Sequence, residues 1–409
     1  MSNKPDRATH SAIALSYRTL YGKLFASLFS RFGSAQVTVI EDAIQNAFYK
    51  SLKSWKPDRM PENQENWLFV VARNDVLNQI KRKNLSQASS QQMADHTALP
   101  EDTEDQRLQL MLLLVQNNAL SASGITLFVL KHIFGLHVKE ISACTLMEQD
   151  AIYKSIRRSS TALLPVWRKR ALTNPKKALC SGEVQRVNEI LYAVFNIGFD
   201  SFNHRCDLLV DEDLCLESLA LAKIFNEKHR NSATQNLISL FCFHIARIPA
   251  KTQDNQFVSF FQQQAEHWNQ DFIRLGFHFL AKPDKPDKYY LEALISSKHM
   301  TTKVFNDSYW SDIVGCYQLL HDLTGSPIVK INLSYCLHKA NQTDEALELL
   351  ASVASQLPSD HFYYTLVKAS ILEKTNPQAA NALMRKAYEA THQTLRQNYI
   401  LENLIESEG

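Results

Sequence analysis

The sequence predicts an all-α protein, and three observations predict it. Glycine and proline number only 10 and 12 in 409 residues, which leaves little material for hairpin turns. Apolar residues recur at three- and four-residue steps along most of the chain. Near the C-terminus, small and apolar residues come back with a period of about 34 residues, the signature of stacked helix pairs.

The first strong stripe is Tyr17, Leu20, Tyr21, Leu24, Phe25, Leu28, Phe29 and Phe32, with Gly33 placed to cap the helix C-terminus. An aromatic stripe at this spacing is a packing face rather than a cofactor box. Residues Glu41 to Lys83 follow, and the rest of the chain is organised around them. A first helix keeps Ile40, Ile44, Ala47, Phe48, Leu52 and Trp55 on one face, and Lys56-Pro57-Asp58 ends it. After a polar loop, Asp58 to Asn66, a second helix is expected to start near Trp67 and to bury Leu68, Val71, Leu77 and Ile80. Its polar side carries Arg73, Asn74, Asn78 and the basic end Lys81-Arg82-Lys83. An acidic start and a basic, asparagine-bearing finish suit two partners, a basic protein surface and a nucleic acid.

Asn84 to Asp105 is polar and aperiodic, a linker with an acidic end, Glu101 to Asp105. Helix resumes over Gln106 to Gln116. Ser121 is placed as the N-cap of a helix through Phe134, stopped by Gly135. A short helix, Val138 to Cys144, a turn at Thr145-Leu146-Met147 and a helix from Glu148 to Leu164 then read as a helix-turn-helix. In that geometry Gln149, Asp150, Tyr153, Lys154 and Arg157 point outward, while Ile141, Ile152 and Ile156 point inward. A purely structural αα corner has the same outline. The basic residues Arg157-Arg158 and Arg168-Lys169-Arg170 favour DNA, because phosphate contacts dominate affinity.

Thr173 to Lys177 reads as a second linker. From Glu183 the chain is helical, with breaks near Asn231, Pro249 to Asn255, Pro283 to Asp287, Gly325-Ser326-Pro327, Leu357-Pro358 and Asn376-Pro377. A unit begun at Pro327 places Leu333, Ala346, Leu350 and Pro358 at set offsets; a shift of about 34 residues brings Val367, Ala380, Met384 and Ala387 to matching places. This is a tetratricopeptide-like pattern, against the alternative of an irregular helical bundle.

Charge is split along the chain. Residues 1–182 hold 24 Lys+Arg against 15 Asp+Glu, and residues 183–409 hold 20 against 27. A basic first half and an acidic second half suggest nucleic acid for one and protein contacts for the other. The seven cysteines form no C-x-x-C pair and fit a reducing compartment. Neither a signal-peptide core nor an apolar run of membrane-spanning length is visible, so the expected location is cytoplasmic. His229, His244, His267 and His278 lack partners at ligand or triad spacing, and no phosphate-binding glycine loop occurs. The reading therefore expects no enzyme activity, no cofactor and no metal.

Together these segments resemble the extracytoplasmic-function type of bacterial RNA polymerase sigma factor, in the group with a C-terminal TPR-like extension. Glu41-Asp42-Ala43-Ile44-Gln45-Asn46-Ala47-Phe48 with Trp55, then Trp67-Leu68, Ala72-Arg73-Asn74 and Lys81-Arg82, resemble region 2. Residues 120–164 resemble region 4 around Gly135-Leu136 and Glu140-Ile141. Leu146 in the turn, Tyr192 to Phe199, Ser326 to Asn332 and Asp344 to Leu350 resemble the extension group. The chain departs from the pattern at Asn78, where the family has aspartate, and at Ile197, where the group has glutamate.

The resemblance implies region 2 over residues 10–84, a linker over 85–105, region 4 over 106–170 and a helical TPR-like extension over 183–409. It implies that Asp42, Gln45 and Phe48 dock on core polymerase, on the β′ coiled coil, with the β subunit as a further partner. Asn63, Asn66, Arg73, Asn74, Asn78, Lys81 and Arg82 would contact and open the −10 element of promoter DNA. Gln149, Asp150, Tyr153, Lys154, Arg157 and Arg158 would read the −35 element. Opening needs captured, unstacked bases and neutralised phosphates but no covalent chemistry. A protein regulator docking on the extension is expected. The rival readings are a helical TPR-like scaffold for protein binding and a non-sigma helix-turn-helix regulator.

Overall fold

The computed structural model describes residues 7–55, 60–84, 106–168, 178–201 and 209–405. The chain divides into two compact units, Met1–Ile190 and Leu191–Gly409. Both are built of helices, and the described residues add a single two-stranded hairpin that the all-α reading did not foresee.

In the first unit, α1 (Arg7–Phe32) buries Tyr21, Leu24, Phe25, Leu28 and Phe29, the middle of the stripe read from the sequence. The side chain of Tyr17 lies outside the described residues. Gly33 ends the helix at φ +78°, with its N–H on the Phe29 carbonyl at 2.8 Å. Helix α2 (Val37–Ser54) buries Ile40, Ile44, Ala47 and Phe48, as its spacing predicts. Helix α3 (Gln64–Asn84) starts three residues before Trp67, because Asn63 caps it: the Asn63 side chain accepts the Asn66 N–H at 2.8 Å. Trp55 and Trp67 meet edge to face at 5.3 Å across the gap between α2 and α3.

The buried face of α3 is rotated from the expected one. Leu68, Phe69, Ala72 and Val76 are fully buried, while Val71, Leu77 and Ile80 are only half-buried. Phe69 is the reason, since its large ring is fully buried on that side of the helix, with the Arg31 guanidinium 4.9 Å from it. The proposed helix stop at Lys56-Pro57-Asp58 and the linkers at 85–105 and 173–177 fall outside the described residues, as do Lys169 and Arg170.

Helix α4 (Gln106–Val115) is apolar on nearly every side and packs against α1. Helix α5 (Ala122–Phe128) begins at Ser121, whose hydroxyl accepts the Gly124 N–H at 3.1 Å. It runs into one turn of π-helix, Val129–Ile133, which also packs on α1. Gly135, at φ +63°, closes that turn. Helix α6 (Val138–Thr145) and helix α7 (Gln149–Arg168) complete the unit, with Leu146 between them in the left-handed region at φ 56°.

Helix α8 (Ser181–Phe199) leads into the second unit. Helix α9 (Glu212–Lys228) follows, then α10 (Ser232–Ala246), which is buried almost all round and packs against three neighbours. The hairpin pairs β1 (Thr252–Gln253) with β2 (Gln256–Phe257) across Asp254 and Asn255, both at positive φ, the two-residue turn that matches strand twist. Helices α11 (Gln270–Phe279), α12 (Lys288–Thr301) and α13 (Asp307–Thr324) come next. Two helix pairs succeed them, α14 (Pro327–Lys339) with α15 (Thr343–Ala351) and α16 (Phe362–Leu372) with α17 (Pro377–Ala390). Helix α18 (Thr394–Ile405) packs on α17 and β2.

The breaks anticipated from the sequence are where the caps lie. Asn231, Asp287 and Asn376 each accept a backbone N–H at a helix start, and Gly325 closes α13 in the left-handed region before Pro327 opens α14. Ala346, Leu350, Ala380 and Ala387 are buried where the helices of each pair meet, while Val367 and Met384 are half-buried.

Candidate functional site

The α6–turn–α7 corner is built from the inside out. Ile141 of α6 and Ile152 and Ile156 of α7 are buried and hold the two helices together. The Ser142 hydroxyl donates to the Met147 carbonyl at 2.7 Å, pinning the turn. Leu146 occupies a backbone region that costs a non-glycine residue about 1–2 kcal/mol, so the surrounding packing must hold it there. With the inner face fixed, Gln149, Asp150, Tyr153, Lys154, Arg157 and Arg158 all stand exposed on α7, Tyr153 at 58 %. These six residues offer amide, carboxylate, phenol and cationic groups along the first turns of the helix. That is the chemistry base edges and phosphates require.

On α2, Asp42 and Gln45 are exposed and one turn apart, but Phe48 is not beside them on the surface. Phe48 is 4 % exposed and belongs to the core, because it continues the apolar face of Ile40, Ile44 and Ala47. The exposed aromatic of α2 is the next residue, Tyr49, whose ring is capped by Lys53 Nζ at 4.1 Å. On α3, Asn74, Asn78, Lys81 and Arg82 are exposed at four-, three- and one-residue steps and form one polar stripe. Arg73 does not share that stripe. It is 8 % exposed and turns its guanidinium along the helix, where Nη1 donates to Asn74 Oδ1 at 3.4 Å. Asn63 is exposed but caps α3, and Asn66 is half-buried. Asn46 of α2 donates to Asp75 of α3 at 2.9 Å, so the two exposed faces are fixed relative to each other.

Sequence reading did not find the contact that ties α2 to the π-helical turn. The Glu41 carboxylate lies 2.9 Å from His132 Nδ1 and accepts the Tyr21 hydroxyl at 3.3 Å. His132 is buried between the rings of Phe25 and Phe128, at 5.3 and 4.5 Å. Burial acts to raise the Glu41 pKa, but the bond and charge of His132, with Lys131 and Tyr21, hold it below the ordinary value.

In the second unit the segment Tyr192 to Asp200 forms a polar spine. The Tyr192 hydroxyl donates to both carboxylate oxygens of Glu292, at 3.0 and 2.9 Å. Burial pushes Glu292 up to about 7 despite that bond. The Phe199 carbonyl accepts Lys251 Nζ at 2.6 Å, and the same ammonium lies 3.8 Å from the Phe199 ring. Burial brings Lys251 down to about 8. Asp200 pairs with Arg396 Nη2 at 2.7 Å and accepts the Tyr363 hydroxyl at 2.8 Å. Burial would raise Asp200, and the charges of Arg396 and Lys251 reverse the shift. Thus this stretch anchors the end of α8 to the turn after α10 and to α12, α16 and α18.

Residues 183–283 match a family of unknown function (DUF6596). The chain is also 23 % identical over 359 residues to "Uncharacterized protein R00370" of Rhizobium meliloti (strain 1021), an alignment covering 82 % of this chain and 81 % of that protein. No solved structure matches it. The family match begins in α8 and ends after α11, so it takes in Tyr192 to Asp200 and Lys251 but not their partners Glu292, Tyr363 and Arg396.

Among the described residues, no three His, Cys, Asp or Glu side chains gather as a metal site, and no helix is long and apolar enough to cross a membrane. The described cysteines are free; Cys215, Cys242 and Cys336 are buried as small apolar residues, and burial raises their thiol pKa values.

Proposed function

We propose that this chain is a sigma-type promoter-recognition factor, acting in the cytoplasm with core RNA polymerase and without catalysis of its own. The observation that carries the reading is the exposed set on α7, from Gln149 to Arg158, presented by a turn and three buried isoleucines in helix-turn-helix order. This set takes the −35 element. The stripe Asn74, Asn78, Lys81 and Arg82 on α3 takes the −10 element, with Asn63 and Asn66 at its edge. Asp42 and Gln45 face the β′ coiled coil, with Phe48 supporting them from beneath. Arg73 is buried on α3 and stands apart from this exposed stripe.

Purified full-length protein added to core polymerase should direct run-off transcription from a subset of genomic promoter fragments, and salt should weaken it steeply. If no fragment in a genome-wide pool gives a transcript, the proposal is wrong. In that event the TPR-like scaffold reading takes its place, favoured by the stacked helix pairs α14–α15 and α16–α17.

A further inference from the structure

The second unit carries an aromatic wall beside one half-buried guanidinium, Arg247, that no carboxylate pairs with among the described residues. His244, Arg247 and Lys251 follow one another at three- and four-residue steps from the end of α10. Aromatic rings lie between these groups. Phe199 sits 3.8 Å from Lys251 Nζ and 4.6 Å from the His244 ring. Phe260 sits 4.0 Å from the Arg247 guanidinium and 4.8 Å from the His299 ring. From there the wall continues through Phe261, which meets Phe305, Trp310 and Tyr335 at 5.3, 5.3 and 5.6 Å. Phe260, Phe261 and Tyr335 are half-buried and Phe305 is exposed, so this wall is open to solvent at its edge.

The cations on this face are not equivalent. Lys251 is held by the Phe199 carbonyl, and Arg396 by Asp200. His244 and His299 are both kept neutral by burial, His299 down to about 3. Arg247 gives Nε to Gln263 Oε1 at 3.2 Å and lays its plane on Phe260. Among the described residues no carboxylate pairs with it, and the nearby phenol of Tyr317 is held protonated by burial and so offers no counter-charge. Glu292, which also acts on Tyr317, is already bound by Tyr192. Arg247 is half-buried, with its guanidinium stacked on Phe260 and tied to Gln263, and burial lowers its pKa to about 9. A half-buried guanidinium without a counter-charge is costly, and an incoming carboxylate relieves that cost with paired hydrogen bonds.

We propose that this face docks an acidic peptide segment of a partner protein: an Asp or Glu carboxylate seats on the Arg247 fork, and a bulky apolar side chain beside it packs on Phe260, Phe261 and Phe305. Charge complementarity selects the acid. The wall selects a polypeptide over a small anion, because it extends from Phe260 through α13 to Tyr335 on α14, beyond the reach of a single small group. The docking uses neither DNA nor polymerase, so it stands or falls separately from promoter recognition.

The test uses the full chain and two fluorescent nonapeptide libraries. One has Asp or Glu fixed beside Phe, Leu or Trp; the other has Asn or Gln in place of the acid. The acidic library should bind wild-type protein about tenfold tighter, a difference of about 1.4 kcal/mol. Arg247→Gln should abolish that preference, and Arg247→Lys should restore part of it. Phe305→Ala, an exposed change that leaves the fold intact, should weaken binding while keeping the preference for acid. Inorganic phosphate at millimolar concentration should not displace the peptides. Equal binding of the two libraries, a preference that survives in Arg247→Gln, or displacement by phosphate alone would each overturn the proposal, the last by making this a small-anion site.

Discussion

Glu41 and His132, 91 residues apart in the chain, meet at 2.9 Å and join α2 to the π-helical turn. The Glu41 carboxyl has a lowered pKa in the folded protein. It therefore adds stability that is present above the ordinary carboxyl range and lost as pH falls through the folded value. Glu41→Gln should cost about 1–2 kcal/mol at neutral pH, the worth of a charge-assisted hydrogen bond in a half-buried site. Urea unfolding should show that cost shrinking as pH falls through the folded value, where the wild-type carboxyl becomes protonated too.

Gly22 marks the closest approach of α1 to the same turn. A Cβ at this position would lie 2.0 Å from the Ile133 carbonyl oxygen, a backbone atom that cannot swing aside. Gly22→Ala should destabilise the protein by about 1–3 kcal/mol, although alanine favours helix by about 1 kcal/mol. A rise in melting temperature would show that α1 and the π turn do not pack as described.

Buried and exposed members of the proposed interfaces should separate by phenotype. Phe48→Ala should lower stability by about 3–5 kcal/mol through the cavity it leaves, whereas Asp42→Ala and Gln45→Ala should stay within about 0.5 kcal/mol and weaken polymerase binding. Arg73→Gln should likewise act on melting temperature. Arg157→Gln should leave the melt unchanged and reduce the slope of log affinity against log salt by about 1 per lost phosphate contact. Thermal melts paired with DNA titrations at several salt concentrations distinguish the two classes.

The Asp200–Arg396 pair should be the acid-sensitive joint of the second unit. Arg396 is 1 % exposed, and Asp200→Asn would leave its charge buried beside Phe362 and Tyr363 at a cost of about 3 kcal/mol or more. The pKa of Asp200 is lowered on folding, so this contribution is full above the ordinary carboxyl range and disappears as pH falls through the folded value. Hydrogen exchange should report faster opening of α16 and α18 in Asp200→Asn at neutral pH, and in the wild type only on acidification.

Much of the helix inventory was legible because caps and periodicity are local. Ser121, Gly33, Asn231 and Gly325 end or begin helices where the sequence placed them, and Ile141, Ile152 and Ile156 face inward as spaced. The register of α3 was not legible. Leu68, Val71, Leu77 and Ile80 make as good a stripe as Leu68, Phe69, Ala72 and Val76, and only the packing that buries the Phe69 ring chooses between them. The π turn left no pattern in the sequence, and neither did the hairpin at Asp254-Asn255, whose strands are two residues each.

The sequence by itself determined the helical class, the order of short helix, turn and long helix over α6 and α7, and which face of α7 is exposed, since these follow from apolar spacing, caps and turn chemistry within a few residues. Tertiary structure alone decided that Arg73 is inside, that Glu41 meets His132, and that Tyr192 and Asp200 become buried polar anchors. Each of these joins residues distant in sequence. Burial of a polar group needs a partner, and a partner's arrival depends on how whole helices pack rather than on neighbours along the chain.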